Sequence, residues 1–354
     1  MDKYLIFVIN PGSTSTKIAM FENETELYKD SITHPNSEIE KIGSLIEQLP
    51  MRRATVLDSL EKHGYIPQDL SCVMGRGGLF PPINTGGYKV NRKMLDMIYS
   101  GALSPHASNL GAVLAHEIAE LGGVDAYIYD AESANEFPPV AMITGMKEVV
   151  RKSFCHVLNS RAVAMKYAKN IGKRYDELSL IVAHLGGGIT MSAHCKGKII
   201  ESLSDDNGPF APERSGGAPL LDVIDLCYSG GYSKEEMIKK VRGSGGLKAL
   251  LGTSDGREIM CRIANGDKYA ADIMGALAYQ IAKGIGLLAP VLKGNCDAII
   301  ITGSLAFFES LVNDVKGYVG FLAPVEVIPG EYEMEAMALG GLRILLGQET
   351  VNEY

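Results

Sequence analysis

The chain has 354 residues, 46% of them hydrophobic and 21% charged, with a formal net charge of −8. That length favours two domains, and the composition is that of a globular protein, disordered at most at its ends. The acidic balance argues against general nucleic-acid binding but leaves room for an anionic ligand held by a few local arginines. Six cysteines (Cys72, Cys155, Cys195, Cys227, Cys261, Cys296) are scattered without a CxxC or zinc-finger spacing, and read as reduced thiols of a cytoplasmic protein. The opening MDKYLIFVINPGS has too short an apolar run for a secretory signal, and no run of about 20 apolar residues predicts a membrane-spanning helix.

The chain opens on Leu5 to Ile9, an apolar run rich in β-branched residues that predicts a buried strand. Asn10 to Thr16 is a dense turn signal, and Ile18 to Phe21 is apolar again, so the stretch reads as a hairpin with a polar tip. Gly12 lets the backbone approach a ligand closely, and the hydroxyls of Ser13, Thr14, Ser15 and Thr16 join the loop N–H groups as donors for an anion. An ordinary polar hairpin loop remains an open reading at this point. Beyond it, Glu22 to Asp30 continues the sheet into a loop. Ser37 to Leu49 and Arg52 to His63 have helical spacing, with Ser37 as a cap.

Ser71 to Met74 predicts a short strand running into Gly75-Arg76-Gly77-Gly78, which delivers an arginine onto a bare loop. Asn91 to Gly101 reads as a helix. Ser104-Pro105 opens another, with His106 and Asn109 in or beside its first turn, where an anion is favoured. Asp125 to Asp130 is a strand ending on a carboxylate. Residues 145–172 then read as one long helix containing His156, and the domain boundary is placed near residue 150.

Residues 178–194, LSLIVAHLGGGITMSAH, repeat the character of the opening: apolar strand, glycine turn, apolar strand. The repeat predicts two domains of similar core topology, with both hairpins pointing into a cleft. Lys198 to Ser202 is a further strand, followed by a glycine- and proline-rich loop with Arg214 exposed at its centre. Helices are expected over Leu221 to Tyr228, Ser233 to Arg242, Tyr269 to Ala289 and Phe307 to Val315. Asp297 to Thr302 is a buried strand ending in a glycine turn, Val325 to Ile328 a short strand, and the last segment a helix with glutamates at its start.

Several enzyme classes are excluded. There is no GxxxxGK[ST], no GxGxxG after the first strand and no HExxH. The single GxSxG, Gly252 to Gly256, has no histidine after it and reads as a surface loop. What remains is polar groups at strand ends (Asn10, Asp130, His184), arginines in glycine loops (Arg76, Arg214), and His106 and His156. Each has a structural alternative: a satisfied histidine, a loop-bracing arginine, a solvated glutamate at a helix start. Their joint placement suits phosphoryl transfer, which needs charge around the transferring group and in-line positioning more than covalent help. A guanidinium fork matches carboxylate and phosphate alike. A divalent ion bridging nucleotide phosphates takes only one or two carboxylates.

INPGSTSTKIAMF, HLGGGIT and ITGSLA resemble the two phosphate hairpins and the adenosine turn of the acetate kinase, sugar kinase, heat-shock ATPase and actin superfamily. MGRGGL, SPHASNLGAVLAHEIA, RKSFCHVLNSRAVA, GPFAPERSGG and PGEYEMEAMALG resemble the butyrate kinase branch of the acetate kinase family, and the likeness runs through the whole chain in order. It implies an α/β fold of two similar domains with ribonuclease H-like, actin-like cores around a central cleft, residues 1–150 plus 336–354 and residues 151–335. It also implies a cytoplasmic enzyme that transfers phosphate reversibly between ATP and a short-chain carboxylate, giving ADP and an acyl phosphate, with Mg²⁺.

By that resemblance Asn10, Gly12, Ser13, Thr14 and Lys17 belong to the first phosphate hairpin, and His184, Gly186, Gly187 and Gly188 to the second. Gly303 and Ser304 lie in the adenosine turn. Arg76 and Arg214 neutralise the carboxylate and the transferring phosphoryl, with His156 stabilising the latter. His106 and Asn109 lie near the acyl pocket, and Asp130 with Glu333 or Glu335 holds Mg²⁺. At least a dimer is implied, with neither nucleic acid nor membrane as partner. Butyrate is the expected acid; branched-chain, propionate and acetate kinases are the alternatives, and a nucleotide-switched binding module the non-enzymatic one. Two departures stand out: Ser304, strained if its position needs φ > 0, and Asp205-Asp206-Asn207 in place of an acidic-glycine run.

Overall fold

The structure is a computed structural model and describes residues 2–81 and 83–354. The chain divides into two compact units, Met1–Asn135 with Tyr332–Tyr354, and Glu136–Glu331. The sequence had placed these breaks near residues 150 and 335.

The first unit is built on β1 (Leu5–Pro11), β2 (Ser15–Glu22), β3 (Thr25–Thr33), β4 (Cys72–Arg76), β5 (Gly87–Lys89) and β6 (Asp125–Tyr129), in the order β3-β2-β1-β4-β6-β5. The first three strands form an antiparallel meander; β4 lies parallel to β1, and β6 parallel to β4. Ile6, Phe7, Val8 and Ile9 are all fully buried, because the strand is covered on both faces, which an unbroken apolar run requires. Phe7, Ile9 and Val73 share one core with the helix Leu110–Gly122. Met74 and Ile6 face the helix Glu333–Leu345 on the other side, at Gly341. β3 is an edge strand with much of its length exposed, and the polar stretch 22–30 is therefore strand for most of its length rather than loop.

The second unit contains β7 (Ser179–Leu185), β8 (Ile189–Cys195), β9 (Lys198–Leu203), β10 (Ala298–Gly303) and β11 (Val325–Pro329), in the order β11-β10-β7-β8-β9. It too opens with an antiparallel meander, followed by two strands parallel to the first. The repeat of strand, glycine turn and strand in the sequence is thus a repeat of topology. In both sheets the parallel strands carry their loops at carboxyl ends, where ligands of open α/β sheets bind.

Four expectations are corrected. The helix of Ser37 to Leu49 is only Asn36–Ile42, with Pro35 rather than Ser37 at its N-cap, and it ends at Gly43 with φ 86. The long helix of residues 145–172 is only Val157–Asn170; His156 precedes it because its backbone N–H is taken by Thr190 Oγ1 at 3.2 Å, while its carbonyl starts the helix through Ser160 N. Helices Gly246–Leu251 and Gly256–Ala264 were not expected. The second starts on Asp255, whose carboxylate accepts from the Arg257 and Glu258 N–H groups, so the GxSxG ends in a helix cap. The helix Lys268–Leu288 is, with the turn after it, long and apolar enough by length and composition to cross a membrane, contrary to the sequence reading. Its Met274, Leu277, Ala278, Ile281 and Ile285 pack into the core of this unit.

Candidate active site

The polar tip of the first hairpin is tight. Pro11 pairs with Thr16 across the strands, and Gly12 N donates to Ser15 O at 2.8 Å. Ser13 and Thr14 are exposed at the tip, and Lys17 pairs with Asn10 one step back along the ladder.

At the carboxyl ends of β1, β4 and β6 the first unit gathers Asn10, Arg76 and Asp130. Arg76 is the centre. Its Nη1 donates to Glu333 Oε2 at 2.6 Å and to Asn10 Oδ1 at 3.3 Å, and its Nη2 meets Glu132 Oε1 at 2.6 Å. Asn10 in turn donates to Glu333 Oε2 at 2.8 Å. Burial alone would lower the Arg76 pKa; the carboxylates of Glu333 and Glu132 overcome this and hold it above the ordinary value. Its Nε is buried without a hydrogen-bond partner among the described residues. His106 lies 3.7 Å from Glu132 Oε2 and 2.6 Å from Ser108 Oγ. Asn109 is buried and committed to backbone, accepting from Leu79 N and donating to Ser104 O, which braces the loop carrying Gly77 and Gly78. Asp130 is also buried, at φ 45, with Oδ1 accepting from Gly86 N at 2.7 Å. Glu335 lies in the first turn of the helix that Glu333 opens.

The second unit gathers the other candidates. The loop Gly186-Gly187-Gly188 closes through Gly186 N and Gly188 O at 3.1 Å. The His184 and His156 rings stack with centroids 3.8 Å apart. His156 Nδ1 is 2.8 Å from Thr190 Oγ1, and Asn159 Nδ2 is 2.9 Å from His184 Nδ1. An amide N–H at that nitrogen makes it the acceptor and leaves the ring proton on Nε2. Gly303 follows Thr302, which pairs with His184 across the sheet. Gly303 has φ 91, and a Cβ there would come within 2.4 Å of Leu185 O; only glycine fits. The left-handed residue of this turn is Gly303, and Ser304 is not among the residues with positive φ, so serine is unstrained there. Arg214 is not fully exposed: its side chain is 28% accessible, and its Nε donates to Asp205 Oδ2 at 3.2 Å.

Sequence reasoning missed Glu132, Asp205, Arg242, Asn159 and Arg52. Asp205 also binds Arg242 through Oδ1 at 2.7 Å, so one carboxylate holds two guanidinium groups, and its side chain lies beside Gly188. The departure noted at residues 205–207 supplies this carboxylate. Asp205 carries a sequence signal, an acid in the loop that leads to Arg214; Glu132, which follows a different strand from the one carrying Arg76, and the buried Arg52 carry none.

Two sheets of one topology, each with a tight hairpin and polar groups at its strand ends, define an actin-like ATPase fold. Solved structures agree: acetate kinase of Porphyromonas gingivalis matches with a TM-score of 0.77 at 19% identity, covering 97% of this chain and 100% of that one. A propionate kinase of Francisella tularensis matches at 0.74 and 19%, covering 95% and 98%. Butyrate kinase 1 of Clostridium acetobutylicum is 44% identical over 353 residues, 99% of each chain. With the acetokinase family model also matching residues 109–315, the chain belongs to the acetokinase family.

Proposed function

We propose that this protein is a carboxylate kinase that transfers the ATP γ-phosphate reversibly to butyrate, giving butanoyl phosphate and ADP. The observation that carries the reading is the 44% identity to a butyrate kinase along the full length of both chains. A carboxylate is already ionised at neutral pH, so the nucleophile needs no base. The obstacle is repulsion between two anions, and arginines answer that need. One carboxylate oxygen attacks the γ-phosphorus in line. The bond to the β,γ-bridging oxygen breaks, and that oxygen leaves on ADP with its electron pair.

In this reading Arg76 neutralises the carboxylate and Arg214 the transferring phosphoryl, with His156 donating to its oxygens. Asn10, Gly12, Ser13, Thr14 and Lys17 bind phosphates from the first hairpin; Gly186 to Gly188 with His184 do so from the second. Gly303 and Ser304 border the adenosine, and His106 and Asn109 shape the acid's surroundings. Among the described residues no three His, Cys, Asp or Glu side chains cluster as a metal cage. The hard oxygen donors Asp130, Glu333 and Glu335 nonetheless fit an ion that arrives on the nucleotide and needs only one or two carboxylates. Asp130 with Glu333 or Glu335 would hold Mg²⁺, which when bound neutralises the phosphate charge. We also place the protein in the cytoplasm as at least a dimer; the exposed Leu220, Leu221 and Tyr228 are apolar surface that a second copy would cover.

The test is a panel of initial rates over acetate, propionate, butyrate, isobutyrate and valerate, with hydroxylamine trapping the acyl phosphate. Butyrate should give the highest kcat/KM, with neighbours lower by about tenfold or more, since a methylene in an apolar pocket is worth about 1–3 kcal/mol. ATP hydrolysis independent of any acid, with no hydroxamate formed, would replace the kinase with a nucleotide-driven switch.

A further inference from the structure

Arg52, on the helix Leu49–Lys62, is fully buried. Among the described residues none of its five N–H donors meets a carboxylate. Nη1 donates to Ser15 O and to Thr16 Oγ1, both at 3.0 Å. Nη2 donates to Gly12 O at 2.9 Å and Ser13 O at 3.1 Å. Gln48 Oε1 accepts from Nε at 3.1 Å and shares Nη2 at 3.0 Å. The remaining loop carbonyl, Thr14 O, accepts from His34 N at 2.8 Å, and His34 Nε2 is 2.8 Å from Thr16 Oγ1.

Every carbonyl from Gly12 to Ser15 is therefore engaged by protein. By contrast, the N–H groups and hydroxyls of the exposed Ser13 and Thr14 have no protein donor or acceptor among the described residues. A guanidinium buried without a carboxylate is a desolvated charge still short of its counter-charge, and burial alone lowers its pKa. Its field also polarises the peptide units it binds and strengthens their N–H groups as donors.

We propose that Arg52 is the positioning residue of the first hairpin: it draws the loop carbonyls to itself, leaves the Ser13 and Thr14 amides for the nucleotide's phosphates, and supplies buried positive charge that the polyphosphate balances. The inference rests on the reading of the chain as an ATP-dependent kinase. Wild-type ATP binding and hydroxamate formation are therefore measured first, and failure there overturns that reading before any variant is made.

The variants are Arg52→Met and Arg52→Lys, with four readouts: KM for ATP, KM for butyrate, kcat, and the inhibition constant of adenosine, which has no phosphates. For Arg52→Met the ATP KM should rise about tenfold or more, while the adenosine constant and the butyrate KM stay within about twofold. Lysine keeps the charge but loses the fork, so Arg52→Lys should give an intermediate rise of about threefold with adenosine again unmoved. A structural brace alone would lower the melting temperature and leave both constants unchanged, or move adenosine and ATP together; either result overturns the proposal. Should Arg52→Met fail to fold, Arg52→Lys decides alone, and an unchanged ATP KM in it refutes the role.

Discussion

Asp205→Asn separates the anchoring of Arg214 from the presence of Arg214. The Asp205 carboxylate is 9% exposed and holds Arg214 Nε at 3.2 Å and Arg242 Nη2 at 2.7 Å. Asparagine keeps the shape and one acceptor oxygen, but it removes the charge and turns an NH₂ toward one of two donors. A hydrogen bond between charged groups is worth about 1.5–3 kcal/mol. Arg242 is 41% exposed, so its share falls to the surface range of about 0–1 kcal/mol. Arg214 is 28% exposed with a longer contact, and about 1–2 kcal/mol is a fair share for it. If that energy holds Arg214 where phosphoryl charge develops, kcat falls about five- to thirtyfold at 1.36 kcal/mol per decade. The ATP KM should change little, because the loop Gly186-Gly187-Gly188 keeps its own hydrogen bond. Hydroxamate formation at saturating ATP and butyrate gives kcat, and a thermal melt gives stability. Asp206→Asn is the control, since Asp206 touches Arg242 at 3.3 Å and is 50% exposed; it should be nearly silent. A kcat within twofold of wild type together with a lowered melting temperature would show that Asp205 only braces its loop, and would refute the anchoring argument.

Two more outcomes follow from buried groups in the second unit. His194 is fully buried, its nitrogens bonded to Tyr175 Oη and Ser192 Oγ, and burial, then the Arg161 charge, depresses its pKa to about 3. Between the unfolded value of about 6.5 and that folded value only the unfolded chain gains the proton, so stability falls as pH falls, by up to about 1.4 kcal/mol per pH unit from this group. His194→Gln should flatten the fall in melting temperature from pH 6.5 to 5; a uniform drop with an unchanged slope counts against the argument. Gly303→Ala forces a side chain onto φ 91 and against Leu185 O, costing about 1–3 kcal/mol from strain alone. Ser304→Gly, with no positive φ to relieve, should gain no such stability; a melt in which the two variants behave alike would refute this reading of the turn.

The parallel strands were legible because a strand covered on both faces must be an unbroken apolar run, as Ile6 to Ile9 and Ala298 to Ile301 are. Strand ends were legible for a related reason: the run stops where the backbone turns, so Asn10, Asp130 and His184 stood out as the first polar groups after it. The start of the helix at Val157 was not legible, because residues 145–156 have helical spacing and the competing hydrogen bond comes from Thr190, 34 residues away. Arg52 was hidden for a similar reason. On a helix an arginine reads as solvent-facing, and only the tertiary fold shows that its partners are carbonyls 37 to 40 residues earlier.

The repeated topology also explains why the two hairpins differ. If both loops present N–H groups to phosphates, as proposed, each also has carbonyls to satisfy. The first loop carries side chains and four carbonyls, and it satisfies them from behind with the buried Arg52 and with His34. The second loop is three glycines closed by a single internal hydrogen bond, and the groups beside it are rings, His184 stacked on His156 and oriented by Asn159 and Thr190. The first arrangement places charge behind a polar tip; the second places N–H donors beside a bare backbone. If each hairpin binds phosphate, removing charge from the first should weaken nucleotide affinity, whereas disturbing the His184–His156 pair of the second should act on turnover. That division makes the ATP KM of Arg52→Met and the kcat of Asn159→Ala, which removes the amide from His184 Nδ1, complementary measurements. Finding the two effects exchanged would mean that topology alone does not assign the hairpins their roles.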